Sequence, residues 1–393
     1  MKFHYVESPS MNTIPVHSRL RRSRADLVSW VALVAATVLL LAVLSGCGGD
    51  DGEEASAATT PTEASGEGAP GSAASGDGPT GTLRLGYFAN VTHAPAVIGE
   101  EEGIFSEALG GDVEIEYEYF NSGTEAIEAL FSGAIDATFI GPNPALNGFA
   151  QSDGEALRIV AGTTSGGAAL VVRDGITSSA DLVGTTLATS SLGNTQDVAL
   201  RAWLADEGLE TDTTGGGEVS IRPQENADTL TTFQDGTIDG AWVPEPWATR
   251  LVLEGGGRVL LDERDLWPEG EFVTTHLVVA TELLEEDEPV VRGLVEGLVD
   301  AVDAANGDAA AAQQATNDGI ERITTKRLPD ATIAGAWENL TFTVDPIAGS
   351  LEGSKDDAVA VGLLDDVDLE GIHDLTILNE VLEARGDDPV QGL

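Results

Sequence analysis

The side chains best suited to chemistry in this chain are hydrogen-bonding groups at expected helix starts, not nucleophiles. Ser190-Ser191-Leu192-Gly193-Asn194-Thr195-Gln196 follows an apparent strand, Thr185–Thr189. It precedes a helical pattern with Val198, Ala199, Ala202 and Trp203 on one face and Gly208 as its stop. Hydroxyls, amides and free backbone N–H groups at a helix N-terminus hold an anion without a full positive charge. A plain N-cap from Asn194 or Thr195 is the simpler reading of the same residues. Gly123-Thr124 and Gly141-Pro142-Asn143-Pro144 occupy comparable places earlier in the chain, where turn residues often only turn.

Trp242-Val243-Pro244-Glu245-Pro246-Trp247 puts aromatic rings and a carboxylate at a strand end. Trp247 suits a wall for an alkyl or aromatic tail, Glu245 an amine on a ligand, and Trp242 the core. His93 and His276 are lone histidines, second-tier contacts at most. Tyr87, Phe88 and Asn90 end the first strand, where a cleft residue belongs. Few basic residues lie near these loops.

Enzymatic chemistry finds little support. The one cysteine, Cys47, allows no internal disulfide, Cys metal site or redox pair. The five histidines are dispersed, with no HExxH, and no glycine loop ends in Lys-Ser or Lys-Thr. A Ser191/His276 pairing lacks the G-x-S-x-G elbow that exposes a nucleophile. No catalytic residue, metal or cofactor is expected.

These loops need elements to hold them. From Leu83 on, apolar runs alternate with helical segments. Leu83–Phe88 reads as a strand, and Val113–Tyr119 alternates as a strand with one wet face. Gly123-Thr124 opens a helix striped with Ala126, Ile127, Leu130 and Phe131; Gly133 ends it, and Ile135–Ile140 is a buried strand. The run Phe131–Pro144 is repeated by Phe233–Pro246: helix end, glycine stop, Ile-Asp, apolar strand, paired prolines. This suggests a duplicated α/β lobe. Strands alternating with helices predict mostly parallel sheets, with ligands outside their carboxyl ends. The lining loops would be Tyr87–Pro95, Asn121–Thr124, Gly141–Pro144, Ser190–Gln196, Val243–Trp247 and Thr274–His276.

The N-terminus reads as an address. Lys2, Arg19, Arg21, Arg22 and Arg24 precede the uncharged run Leu27–Leu44 and then Leu44-Ser45-Gly46-Cys47. This is a secretory signal, residues 1–46, and its end resembles the bacterial lipobox, in which the cysteine is lipidated. Buried methylenes at about 0.8 kcal/mol each would anchor Cys47 at the outer face of the cytoplasmic membrane. Residues 47–81, small and polar, read as a disordered tether. With 19 Lys+Arg against 67 Asp+Glu, a formal charge of −48, the chain repels nucleic acid and anionic membrane surfaces.

Gly86-Tyr87, Gly133–Asp136, Gly141–Pro144, Ser191–Thr195 and Ile238–Trp247 together resemble the solute-binding proteins of ABC importers for alkanesulfonates, taurine and nitrate. The resemblance implies an α/β fold of the two-lobe, type II periplasmic-binding kind, each lobe a mixed, mostly parallel sheet flanked by helices. Residues 82–167 plus 274–393 would form lobe 1, and 168–273 lobe 2, hinged near Thr163–Ala168 and Phe272–Thr275. The implied function is an extracytoplasmic, lipid-anchored monomer that captures a small organic anion, an aliphatic sulfonate or taurine-like compound, and delivers it to importer permease subunits. The alternatives are nitrate-like anions, a thiamine-type pyrimidine precursor, or a ligand sensor. The candidate ligand contacts are Asn90, Thr124, Asn143, Ser191, Asn194, Thr195, Glu245, Trp247 and His276.

Overall fold

The computed structural model describes residues 81–393. The expected signal segment, Cys47 and all but the last tether residue lie outside them. Gly81, expected to end the tether, instead opens the first strand.

Two mixed sheets, both flanked by helices, organise the described residues. The first comprises β1 (Gly81–Tyr87), β2 (Val113–Tyr119), β3 (Ala137–Ile140), β4 (Leu157–Gly166), β10 (Val273–Ala280) and β11 (Leu340–Phe342), in the order β11-β4-β10-β3-β1-β2. The second comprises β5 (Ala168–Val172), β6 (Thr186–Thr189), β7 (Ser220–Pro223), β8 (Gly240–Pro244) and β9 (Arg258–Asp262), in the order β7-β6-β8-β5-β9. Strand for strand, β2-β1-β3-β10-β4 matches β7-β6-β8-β5-β9. The first three of each run are parallel and the next two join antiparallel. Four strands of each sheet run in one direction, while the antiparallel pairings equal or outnumber the two parallel ones. The chain passes between them twice, and the strand entered at each passage, β5 or β10, runs back against the βαβ units.

Alternation across each sheet builds two cores per sheet. In β3, Phe139 packs with Leu83, Leu85 and the helix Glu288–Gly307, while Ile140 faces Ile127, Leu146 and Phe149. In β8, Trp242 meets Leu187 and Leu204, while Ala241 and Val243 meet Leu230 and Phe233. Strands covered on both faces read as unbroken apolar runs, which is why these short segments lack a period of two. Edge strand β2 is covered on one face and keeps the alternation. Phe131, expected on the buried stripe of its helix, is 42% exposed because the helix ends there.

The repeated Ile-Asp performs one task twice. Asp136 accepts a hydrogen bond from Arg84 N at 2.8 Å, and Asp239 one from Thr186 N at 2.8 Å. Each carboxylate thus takes a backbone N–H of the neighbouring parallel strand, mid-strand at Arg84 and at the strand start at Thr186. The glycine stops, Gly133 and Gly236, take φ of 68° and 80°, which a side chain disfavours.

The first passage between sheets is Gly166-Gly167, and the second is Glu263–Phe272. No helix among the described residues is long and apolar enough to cross a membrane.

Candidate functional site

The carboxyl ends of the parallel strands of both sheets meet in one cavity of about 30 Å³. The first sheet supplies Phe88 and Asn90 after β1, Asn121 after β2 and Gly141 after β3. The second supplies Ser190, Asn194 and Thr195 after β6, Asn226 after β7 and Pro244 at the end of β8. No Asp or Glu lines it, although the chain carries 67. Phe88, Asn90, Asn121 and Asn226 also border an outer cavity of about 320 Å³, which opens toward Trp247, Arg250 and Lys326.

The helix Thr195–Asp206 aims its N-terminus at the inner cavity. Asn194 is its N-cap: the side-chain oxygen accepts from Thr195 N at 3.0 Å, and its amide donates to Ser190 Oγ at 2.8 Å. The preceding loop is held from within the helix. Asp197 accepts from the Thr189 hydroxyl at 2.8 Å and from Gly193 N at 3.0 Å, and pairs with Arg201 at 2.9 Å, both side chains buried. The buried face of this helix therefore runs through Asp197, Leu200, Arg201 and Leu204. Of the expected apolar face only Val198 is fully buried, and Ala199, Ala202 and Trp203 are half-buried.

Three polar atoms on the cavity wall have no partner: Thr195 Oγ1, Asn226 Oδ1 and His93 Nδ1. A buried polar atom left unpaired costs about 1–3 kcal/mol, so their convergence marks a place built to be filled. Burial pushes His93 down to about 3, so its ring is neutral at neutral pH. A Cβ on Gly141 would lie 2.6 Å from Thr195 Oγ1; glycine there lets the second sheet's hydroxyl reach the first sheet's backbone.

Two hydrogen bonds span the sheets at this edge. Trp247 Nε1 donates to Asn90 Oδ1 at 3.0 Å, and Asn147 Nδ2 to Gly193 O at 3.4 Å. The Arg250 guanidinium lies over the Trp247 ring, 4.7 Å from its centroid.

Of the sequence-predicted contacts, Asn90, Asn194 and Thr195 line the inner cavity, and Trp247 walls the outer one. Ser191 stands beside the wall with its hydroxyl buried and unpartnered; Ser190 takes the wall position. The others lie elsewhere. Thr124 is exposed and lines neither cavity, and the helix it was expected to open is capped by Ser122. Asn143 is buried and donates to Ser354 O at 3.2 Å. His276 sits inside the first sheet between β3 and β4, its Nε2 3.3 Å from Pro346 O, and burial pushes it down to about 3.

Glu245 is turned away as well. It accepts from Thr249 N and Oγ1 at 3.0 and 2.9 Å and from Asn339 Nδ2 at 2.7 Å. Its carboxyl, held above the usual range by burial, faces a separate cavity of about 330 Å³ with Asp262. The sequence reading did not single out Gln196, Asn226, Arg250 or Lys326. Asn226 had a signal: it follows β7 as Asn121 follows β2, the same place in the duplicated layout.

Comparison with known proteins agrees with the resemblance read from the sequence. The model of the NMT1-like family matches residues 76–317. The taurine-binding periplasmic protein of Escherichia coli is 27% identical over 208 residues, 53% of this chain and 62% of that protein. The chain thus spans less than two thirds of that relative. Among solved structures, the alkanesulfonate-binding protein SsuA of Xanthomonas axonopodis, bound to MOPS, superposes with a TM-score of 0.61 at 21% identity, covering 74% of this chain and 96% of that one. The periplasmic nitrate-binding protein NrtA of Synechocystis gives 0.62 at 17% identity, covering 78% and 89%. These likenesses show the fold, that of the periplasmic binding proteins.

Proposed function

The chain belongs to the NMT1-like family, and from that premise we propose that it is a solute-binding protein for a small organic oxyanion, with an aliphatic sulfonate as the leading class. One observation carries this. In a chain of net charge −48, the cavity between the sheets excludes every carboxylate and instead presents a helix N-terminus, the unpartnered Thr195 hydroxyl and the side-chain amides of Asn90, Asn121 and Asn226. Such a site suits negative charge delivered to dipoles rather than to a counter-ion. Taurine and alkanesulfonates, the ligands named for the relatives, have this chemistry.

The mechanism is capture rather than catalysis. The inner cavity holds about one water as it stands, so entry requires the sheets to part. Residues 82–167 plus 274–393 and residues 168–273 would move as two lobes about Gly166-Gly167 and Glu263–Phe272. Parting them breaks the Asn90–Trp247 and Asn147–Gly193 bonds. A ligand that bonds both lobes shifts the population back to the closed form. Permease subunits of an ABC importer would read that form, with lipidated Cys47 holding the protein at the outer face of the membrane.

A thermal-shift series with the purified protein tests this. A bound oxyanion at 100 times its Kd adds about 2.7 kcal/mol of stability. Thr195→Val should lower affinity at least tenfold with melting little changed, because its hydroxyl has no partner to lose within the protein. No shift with any sulfonate, or full affinity in Thr195→Val, sinks the assignment.

A further inference from the structure

We infer that the ligand's far end is bulky and carries no positive charge, and that the protein discriminates against amine-bearing anions such as taurine, with Lys326 the specificity-determining residue. The inference rests on the oxyanion reading above and concerns the outer cavity, which that reading leaves unassigned.

The geometry runs from the inner cavity outward. An oxyanion held at the Thr195 hydroxyl and helix start points its other end past Phe88, Asn90, Asn121 and Asn226, the residues the two cavities share. Beyond them lie about 320 Å³ walled by Phe88, Phe120, Leu230, Trp247, Ile320 and Leu328 on one part and by Thr231, Thr324 and charged side chains on the rest. That space is far larger than a two-carbon tail fills, and each buried CH₂ or ring carbon contributes favourably, at roughly 25 cal/mol per Å² of apolar surface. An aromatic ring or branched chain would use it.

The charges on this wall decide the sign of what fits. Arg250 and Lys326 stand there against one carboxylate, Glu225, which is exposed. Arg250 is stacked on Trp247 and paired with Glu254 at 2.7 Å. Lys326 Nζ has no ion pair among the described residues, so its charge acts on the cavity uncompensated. An ammonium is best recognised by a facing carboxylate or an open aromatic face, and the Trp247 ring is already covered by Arg250. Glu245, the carboxylate nearest in sequence to Trp247, is buried, spent on Thr249 and Asn339, and faces another cavity. An amine in the outer cavity would meet the repulsion of Lys326, with only the solvent-exposed Glu225 carboxylate to offset its lost water.

Titration calorimetry of the full chain with propanesulfonate, benzenesulfonate and taurine tests this. Benzenesulfonate should bind tightest, and taurine at least tenfold more weakly than propanesulfonate. Lys326→Glu should shrink that last ratio tenfold or more by giving the amine a partner. Lys326 is exposed and unpaired, so the fold should tolerate the change. Taurine binding as tightly as propanesulfonate, or a ratio unmoved in Lys326→Glu, overturns the inference while leaving the oxyanion site standing. No binding of any of the three overturns the oxyanion site itself.

Discussion

The two sheets meet at the cavity through matching strand ends, yet they bring different chemistry. After β1 the chain enters a helix, Ala94–Glu101, with Pro95 in its first turn and no side-chain cap. Proline has no N–H, and residues Val91–Gly99 are all buried, so this helix start offers little to a ligand. After β6 the equivalent helix begins Asn194-Thr195-Gln196, capped and with amides to spare. The first half thus supplies rings, Phe88 against His93 at 4.7 Å, beside Asn90 and Asn121, and the second supplies a capped helix start and the Thr195 hydroxyl. Duplication fixed where the strand ends lie. The residues just past them were free to divide the labour.

The comparison can be pressed hardest in the cores. Phe139 in β3 and Trp242 in β8 are both fully buried. Phe139→Ala and Trp242→Ala should each cost about 3–5 kcal/mol in denaturant unfolding. Trp242→Ala should cost the more, because Trp242 Nε1 donates to the buried Glu263 carboxyl at 2.6 Å, and Phe139 has no such partner. Equal losses would mean that this bond adds nothing to packing.

Next come the twin aspartates. Asp136→Ala and Asp239→Ala should each lose about 1–3 kcal/mol, the cost of an unmet backbone N–H at the neighbouring strand. Asp136 also pairs with Arg84, whose side chain is 38% exposed, and such a pair is worth at most about 1 kcal/mol. Similar thermal losses from the two variants would tie the Ile-Asp repeat to the neighbouring strand's backbone. A loss from Asp136 alone would tie it to the salt bridge.

The smallest effect is a slope. Burial raises Glu263 from 4.5 to about 7. As pH rises from about 4.5 to about 7 the unfolded chain releases this proton before the folded one, so the residue makes stability fall over that window and leaves it level above. His93 and His276, held down to about 3 by burial, tilt stability the other way, upward from about 3 to 6.5. Denaturation midpoints across pH for the natural protein minus those of Glu263→Gln should isolate the downward slope, and a flat difference would remove Glu263 as its source.

Much of this was legible in the sequence. The helix-to-strand repeat announced both sheets, because Gly133 and Gly236 end helices by local conformation and Ile-Asp acts on the adjacent strand. Asn194 and Thr195 were legible because a cap is a local event. Asn143 and Glu245 misled because their partners are remote: Ser354 lies 211 positions from Asn143, and Asn339 lies 94 from Glu245. A polar residue between two prolines looks alike whether it faces a ligand or a distant carbonyl. Lys326 was invisible for the same reason. It enters the site from a helix end packed against the first strand's loop, and nothing near it in the chain says so. Asp197 and Arg201 drew no reading from the sequence, and their burial shows that they brace the loop before the helix.

The bond from Trp247 to Asn90 exists only while the two halves touch, and one of its atoms belongs to an indole. In the proposed opening that contact would break, and its indole, half-buried in the closed form, would gain water. On that proposal Trp247 would serve as an optical gauge of opening, placed at the rim where a guest would pass.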